Sequence, residues 1–243
     1  MDSQLVRVQD LSAGDRAEMY HLLQQHFQGV RVDVFQADLS EKNWAILLRD
    51  GNRALKGFST ILLYDTVFAG IPLSVVYSGD TIVDPSAWSS TALARSWIDA
   101  INLLKQGVTT RQLYWLLISS GYRTYRFMPT FWREFYPRHD APTPSHVQRL
   151  IDRLAMEKFG DRYDPTAGVV RLSHPHTLRG KLRGVPDERR ANPHVQFFAA
   201  RNPGHCWGDE LVCLTEVCEE NLTRAGRRMW FAQSCLQQQR SVL

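Results

Sequence analysis

One acidic side chain interrupts an otherwise apolar stretch of this sequence. Asp80 follows Gly79 inside the run Leu73–Val83, which has the β-branched and aromatic composition of a strand. Aspartate is disfavoured inside strands, so its presence there is informative: a carboxylate on a strand can act as a general base. The alternative is a structural carboxylate, hydrogen-bonded at a bulge that Gly79 opens.

A polar segment directly after this run could hold an anion. Ser86–Thr91 is rich in hydroxyl side chains, and a helical pattern, Ala92–Leu104, follows it. Backbone N–H groups at a helix start have no partner within the helix and lie at the positive end of its dipole, so a phosphate can bind there. The predicted binding set comprises Thr81, Ile82, Val83, Trp88, Ser89, Ser90, Thr91 and Ala92.

A second candidate base lies much later in the sequence. His205 stands in a glycine-flanked turn close to Asp209 and Glu210. A neighbouring carboxylate can orient an imidazole for proton transfer. The alternative is a solvated turn histidine without a chemical role.

Several classes of function lack a motif. The sequence has no Gly-x-Ser-x-Gly elbow, Walker loop or dinucleotide fingerprint, which argues against hydrolase, NTPase and Rossmann chemistry. No metal site is expected, because no partner stands at metal-ligand spacing from the histidines His174, His176 and His194. The four cysteines form no CxxC pair and are expected to be free thiols; they are Cys206, Cys213, Cys218 and Cys235.

Composition is that of an ordinary globular chain with a mildly basic balance. Of 243 residues, 44% are hydrophobic and 22% charged, and the formal net charge is +4. This balance suits an acidic partner such as coenzyme A, a carrier protein or an acidic peptide, and it is too mild for nucleic acid. No apolar run is long enough to span a membrane, and the first residues form no signal segment, so a cytoplasmic protein is expected.

Hydrophobic periodicity predicts the elements that position these groups. The expected strands are Leu5–Val8, Trp44–Leu48, Leu55–Phe68, Leu73–Val83, Leu113–Ile118, His194–Ala200 and Glu210–Val217. The expected helices are one after Asp15, Ala92–Leu104, one from Tyr122 limited by Pro129, Ser145–Phe159 and Asn221–Leu236.

This order of elements resembles the GNAT superfamily of acyl-CoA-dependent N-acyltransferases over most of the chain. The hairpin Leu55–Val83 and the helix from Ala92 carry the resemblance. The sequence departs from the family's Arg/Gln-x-x-Gly-x-Gly/Ala loop: Trp88 stands where Arg or Gln is usual, and Ser89 and Thr91 stand where glycines are. Serine and threonine lack glycine's freedom at positive φ, so tight recognition of free coenzyme A is in question.

The resemblance implies an α+β fold. Its core is a mixed, mostly antiparallel sheet flanked by helices and splayed between Leu73–Val83 and Leu113–Ile118. It implies one domain over residues 1–243, with a helical and loop insertion at about 139–192 before a last hairpin.

The resemblance also implies a reaction: transfer of an acyl group to a primary amine. The donor is a coenzyme A thioester or a phosphopantetheine-bound acyl group on a carrier protein. Asp80 is the implied base, with His205 as its rival, and the N–H groups of Ile82 and Val83 stabilise the oxyanion. Tyr122 or Tyr125 gives a proton to the departing thiolate.

Two sequence blocks, Tyr122–Trp132 and Asn202–Val212, look similar to GNAT-like maturases that attach fatty acyl groups to ribosomal peptides. On that resemblance the acceptor is a peptide Lys or Orn side chain. A long acyl chain is expected against a wall of large apolar side chains, although these could simply fill the core: Phe127, Met128, Phe131, Trp132, Phe135, Phe197 and Phe198.

Two other functions remain open. The altered loop Trp88–Thr91 favours a non-catalytic GNAT-fold module that binds an acyl thioester or a peptide. The aromatic window Tyr122–Tyr136 favours a scaffold that docks a partner protein.

Overall fold

The computed structural model describes residues 1–88 and 91–238. The strands are β1 (Asp2–Arg7), β2 (Phe27–Gln28), β3 (Trp44–Arg49), β4 (Leu55–Phe68), β5 (Ile71–Val83), β6 (Leu113–Ser119), β7 (Tyr163–Asp164), β8 (Val169–Val170), β9 (Thr177–Leu178), β10 (Glu210–Glu216) and β11 (Leu236–Gln238). The helices are α1 (Ala13–His26), α2 (Val32–Ser40), α3 (Ala92–Lys105), α4 (Tyr122–Tyr125), α5 (Phe127–Phe131), α6 (Ser145–Phe159), α7 (Pro193–Arg201) and α8 (Arg224–Trp230).

One large mixed sheet carries the fold. Its described strands lie in the order β11-β1-β3-β4-β5-β6-β10-β8-β7, while β2 and β9 form a separate ribbon. The pairs β1–β11 and β5–β6 are parallel, and the other neighbours in this sheet are antiparallel. The predicted class, an α+β fold with a mostly antiparallel sheet flanked by helices, is confirmed.

Helices cover both faces of this sheet. Trp97 and Ile101 of α3 pack on one face. On the other face, Leu22 of α1 and Phe35 of α2 cover β1, β3 and β4, and Leu154 of α6 covers β5, β6 and β10. Burial is nearly continuous along the central strands, because alternate side chains enter opposite layers and helices cover both layers.

The long hairpin β4–β5 was predicted closely. Its turn consists of Ala69 and Gly70, with φ of 49° and 82°. Two successive positive φ values match the twist of a tight hairpin, and glycine adopts the second without strain. Strand β5 therefore begins at Ile71, two residues earlier than predicted.

The strand predicted at His194–Ala200 is wrong, because this segment belongs to helix α7. The Asn192 side chain accepts hydrogen bonds from the N–H groups of His194 and Val195, and Pro193 occupies the first turn. Val195 and Phe198, three residues apart, are both fully buried. The described chain therefore has no last hairpin: β10 pairs with β6 and with β8.

The predicted closing helix Asn221–Leu236 is shorter in the structure. Helix α8 begins after the Thr223 cap and ends at Trp230, and β11 follows in extended form. Asn221 instead lies buried, where its amide nitrogen donates to the carbonyls of Glu134 and Glu216. The single domain with an insertion at about 139–192 stays a prediction; within that range, β8 extends the main sheet beside β10.

Candidate active site

Strands β5 and β6 diverge before either of them ends. Their parallel ladder stops where Ser78 lies opposite Leu117, whereas β5 continues to Val83 and β6 to Ser119. In the described part of the chain, the end of β5 pairs only with β4. We call this divergence the fork. It leaves one backbone edge of β5 without a neighbouring strand.

A β-bulge at the base of the fork carries Asp80. Ser59 pairs with Thr81 and Ile61 pairs with Ser78, so Gly79 and Asp80 together lie opposite one residue of β4. Gly79 lets these strands pack closely, since a Cβ there would lie 2.5 Å from Lys42 Cε and from Thr60 Oγ1 and would displace both side chains. The partly buried Asp80 carboxylate has no hydrogen bond among the described residues.

Ionisable groups from three elements meet beside the bulge. Lys42, whose side chain is fully buried, donates 2.7 Å to the Asp38 carboxylate and lies 5.3 Å from the centre of the Tyr77 ring. Glu210, the first residue of β10, is within electrostatic range of both Asp80 and Asp38. We refer to Asp38, Asp80 and Glu210 as the carboxyl cluster.

Burial controls the protonation of this cluster. Desolvation and then the negative charge of Asp38 raise the pKa of Asp80 well above the usual carboxyl range, while Lys42 partly offsets the shift. Desolvation and the charges of Asp80 and Asp38 raise the pKa of Glu210 to about 8. Near neutral pH Asp80 and Glu210 therefore retain protons that exposed carboxylates would release.

A short segment connects the two sides of this region. Residues 174–179 include β9, which pairs with β2 at the end of α1. Its Pro175 packs against Gly208 just before β10 and against Gly29 just after β2. Its His176 has an Nε2 atom that is buried without a hydrogen-bond partner in the described residues. Burial lowers the pKa of His176, and nearby Asp38 opposes that shift.

The backbone N–H groups at the end of β5 point alternately toward β4 and into the fork. The Asp84 N–H donates 2.7 Å to the Lys56 carbonyl on the β4 side. Backbone groups alternate along a strand, so Ile82 also points to β4, while Thr81 and Val83 point into the fork. The N–H of Ile82 is thus directed at β4, whereas that of Val83 is directed into the fork.

Trp88 occupies part of this open edge. Its indole Nε1 donates 2.8 Å to the Val83 carbonyl, and its ring is 38% exposed. The Arg123 guanidinium lies 4.2 Å from the centre of the Trp88 ring and 4.7 Å from that of Tyr122. Arg123, which the sequence analysis missed, therefore brings a positive charge to the fork from the β6 side.

The predicted phosphate loop is only partly described. Ser89 and Ser90 lie outside the described residues. Thr91 is exposed at the start of α3 and makes no side-chain cap, and Ala92 is the first helical residue. Helix α3 therefore begins directly after the fork, in the orientation that favours an anion at its N-terminus.

The two tyrosines differ in placement. Tyr125 is fully buried, and its hydroxyl donates 3.1 Å to the Pro137 carbonyl. Its ring packs between Phe135 and Phe198, and burial raises its pKa. This placement corrects the proposed acid role of Tyr125, because its proton is engaged inside the core. Tyr122 begins α4 directly after the fork and is 3% exposed.

His205 lies in the turn before β10. Its Nδ1 is 2.8 Å from the Asn202 carbonyl and its Nε2 is 3.4 Å from Cys206 Sγ. The structure records no contact of this imidazole with Asp209 or Glu210 among the described residues. The predicted carboxylate–histidine pair is therefore not formed.

The predicted acyl wall belongs largely to the main core. Met128, Phe131, Trp132, Phe135 and Phe198 are at most 4% exposed. They pack in the cluster that contains α3. Two surface clefts lie elsewhere, one lined by Leu63–Asp65 and Gly107–Thr109, the other by residues of β1 and the β3–β4 turn.

The described residues were also searched for a metal site and for a membrane-spanning helix. Among the described residues, no group of three or more His, Cys, Asp or Glu side chains could hold a metal ion. No helix in the described ranges is long and apolar enough to cross a membrane.

Comparison with solved structures finds partial likeness to acetyltransferases. A GNAT family N-acetyltransferase from Escherichia coli, in complex with CoA, has a TM-score of 0.37 and 14% identity, covering 54% of this chain and 69% of that one. A GNAT acetyltransferase from Staphylococcus aureus has a TM-score of 0.38 and 12% identity, covering 58% and 89%. A probable N-acyltransferase from Enterococcus faecalis has a TM-score of 0.38 and 16% identity, covering 64% and 43%. The sequence matches no protein-family model and no curated protein.

Proposed function

We propose that the protein is an N-acyltransferase that moves an acyl group from a thioester donor to a primary amine. The observation that carries this proposal is the fork, where the β5–β6 ladder ends at Ser78 and Leu117 although both strands continue. An extended amide-containing arm can hydrogen-bond to such an edge as an added strand would. The phosphopantetheine arm of coenzyme A or of a carrier protein has that form.

The donor binds between the fork and the start of α3. The thioester carbonyl lies at the Val83 N–H, which stabilises the oxyanion as the amine attacks. The phosphates lie at the N-terminus of α3, near Thr91. Arg123 supplies a cation that has aromatic contacts and no recorded carboxylate partner in the described chain.

The acceptor amine binds beside the carboxyl cluster. An amine with a pKa of ~10.4 is neutral in only about one molecule in two thousand at pH 7, so deprotonation needs a base. Asp80, with its raised pKa, can take that proton near neutral pH. A peptide Lys or Orn side chain would meet these requirements.

The departing thiolate needs little help. Tyr122, which follows β6, is the remaining candidate to protonate it. Free cysteines and a coenzyme A donor both fit a reducing, cytoplasmic location. A fatty acyl donor receives no support from the aromatic block, whose side chains fill the core, and we propose a short acyl group instead.

A non-catalytic binding module is the second candidate. The Trp88 indole already donates a hydrogen bond to the Val83 carbonyl. A thioester donor must displace this indole before it can hydrogen-bond along the whole open edge of β5. A module that binds thioesters slowly, without turnover, would have this property.

Calorimetry and a thiol-release assay test the proposal. Purified protein is titrated with coenzyme A and acetyl-CoA, then supplied with acetyl-CoA and lysine-containing peptides. We expect micromolar binding and amide formation that is lost in Asp80→Asn but kept in Asp161→Asn, an exposed aspartate in the turn directly after α6. Binding without turnover would indicate the module. No binding to any thioester would contradict both functions.

A further inference from the structure

Acidic side chains are nearly absent from the segment that forms β6 and the helices on either side of it. Between Asp84 and Glu134 the sequence has six basic residues and one acidic residue, Asp99. Asp99 is 8% exposed and accepts hydrogen bonds from Cys235, so it adds little negative charge to the surface. The positive charge of the chain is therefore concentrated in this segment.

Three arginines of this segment lie on the elements that follow the two strands of the fork. Arg95 is exposed in the first turn of α3, which follows β5. Arg123 in α4 and Arg126 directly after it are partly exposed and follow β6. The structure records no ion pair for any of the three within residues 1–88 and 91–238. We call these arginines, together with the Trp88 ring, the basic face.

Arg95 is in an unfavourable electrostatic position as long as no anion is bound near it. It is the fourth residue of α3, whose first turn contains no acidic residue and whose N-cap, Thr91, makes no side-chain hydrogen bond. The N-terminus of a helix carries partial positive charge, which repels a cation and stabilises an anion. A carboxylate or phosphate of a partner would compensate both the helix end and the arginine.

The basic face is connected to the open edge of β5 by two contacts. The Arg123 guanidinium lies 4.2 Å from the centre of the Trp88 ring, and Trp88 Nε1 donates 2.8 Å to the Val83 carbonyl. Trp88 is also 38% exposed. Tryptophan and arginine are enriched among the residues that contribute most to protein–protein binding. A protein bound to this face would therefore lie directly beside the opening of the fork.

The sequence before α3 suits the arm of a carrier protein better than free coenzyme A. Loops that wrap a diphosphate are rich in glycine, because the backbone must approach the phosphates closely. Residues Trp88–Thr91 contain no glycine. On a carrier protein the phosphopantetheine arm ends in a single phosphodiester, whereas coenzyme A continues into a diphosphate and a nucleotide. The start of α3 has to accommodate only one phosphate in the first case.

We propose that the acyl donor is an acidic carrier protein that docks on the basic face and extends its phosphopantetheine arm into the fork. Carboxylates of the carrier pair with Arg95 and Arg126. The phosphodiester lies at the start of α3 beside Arg123, and the thioester reaches Val83. Opposite charges on the two surfaces speed their encounter and fix their orientation. The inference rests on the proposed acyl transfer and selects one of its two thioester donors.

A comparison of donors tests this choice. A bacterial acyl carrier protein is loaded with an acetyl-phosphopantetheine arm, and its amide formation with a lysine-containing peptide is compared with that of acetyl-CoA. We expect kcat/KM to be about tenfold higher, or more, with the carrier protein. An equal or lower kcat/KM with the carrier would overturn the inference and leave the proposed function intact. Amide formation with neither donor would contradict the proposed function, and binding alone then decides the docking surface.

Charge reversal at Arg126 provides that binding test. Arg126→Glu should weaken calorimetric binding of the carrier protein by about tenfold, because a carboxylate of the carrier then meets a like charge. Coenzyme A binding should stay unchanged, which also shows that the variant is folded. The control is Arg111→Glu, at an exposed arginine just before β6 and so at the end of that strand away from the fork. Carrier binding that is unchanged in Arg126→Glu, or weakened equally in both variants, would overturn the inference.

Discussion

Asp80 differs from an ordinary aspartate because its carboxyl is partly desolvated and accepts no hydrogen bond from the described residues. The bulge directs it toward Asp38 and Lys42, where burial and like charge favour the protonated form. A base of raised pKa is a stronger proton acceptor than an exposed carboxylate and remains partly ionised near neutrality. The same residue on a regular, solvated strand would be a weak base.

We predict that Asp80→Asn lowers turnover by roughly 10²–10⁴-fold, the usual effect of losing a general base. In the wild type, kcat/KM should decrease as the pH is lowered. The midpoint of this decrease should lie nearer neutrality than about 4, which is the ordinary pKa of an aspartate. Initial rates across pH 5–9 check both expectations. An acid limb near pH 4, or wild-type rates in Asp80→Asn, would exclude Asp80 as the base.

Trp88 provides a second prediction at this scale. Trp88→Phe keeps an aromatic ring for Arg123 but removes the N–H that donates to the Val83 carbonyl. A hydrogen bond contributes about 0.5–1.5 kcal/mol, so a donor that no longer competes with it should bind about two- to tenfold more tightly. Calorimetry with coenzyme A measures this change. Weaker binding in Trp88→Phe would show that the indole contacts the donor instead of blocking it.

Among the elements, α7 shows how a cap can outweigh composition. Val-Gln-Phe-Phe has strand-like residues, but Asn192 and Pro193 before it form a helix start, and the spacing of Val195 and Phe198 is helical. The local signal was present in the sequence. It was missed because apolar runs this short do not distinguish a strand from a buried helix by themselves.

We predict that Asn192→Ala destabilises the protein by about 1 kcal/mol, since two N–H groups of α7 lose their acceptor. For a chain of this size the melting temperature should fall by about 2–4 °C. Calorimetric melting of Asn192→Ala beside Asn52→Ala, at an exposed turn, measures the difference. Equal melting temperatures for the two variants would mean that the cap contributes nothing.

On the scale of the whole molecule, the carboxyl cluster makes stability depend on pH. Glu210 has a higher pKa in the folded chain than in the unfolded one, so between about pH 4 and its folded value of about 8 the folded state binds more protons. Stability contributed by this group is therefore present at low pH and is lost as pH rises.

We predict that Glu210→Gln raises the melting temperature at pH 8.5 and leaves it nearly unchanged at pH 4.5, where the wild-type carboxyl is already neutral in the fold. Melting curves of both proteins at the two pH values check this. A constant difference across pH would indicate a packing effect and not a titrating carboxyl.

The sequence predicted the central part of the molecule better than its periphery. The apolar residues of β3–β6, among them Ile46, Val76 and Leu116, form alternating or continuous runs that are strong enough to predict these strands. The GNAT resemblance then predicted that β5 and β6 diverge. The proximity of Asp38 and Glu210 to Asp80 could not be predicted from the sequence. The two residues are 42 and 130 positions from Asp80 along the chain, and only the tertiary packing brings them together. Arg123 was missed because it stands in an aromatic window whose large apolar side chains carried the interpretation.

Strand β1 is not at the edge of the sheet, because the last described strand, β11, pairs with it. Strand β11 pairs with residues 3–5 of β1, and Cys235 fixes it by donating its N–H to the buried Asp99 carboxylate at 2.7 Å. The opposite border ends in two-residue strands, too short to serve as a template. Removal of residues 235–243 would move the sheet edge from the three-residue β11 to the six-residue β1 and would leave the Asp99 carboxylate without its Cys235 donors. Concentration-dependent aggregation, measurable by light scattering, would follow even though the fork lies beyond β3 and β4 in the strand order.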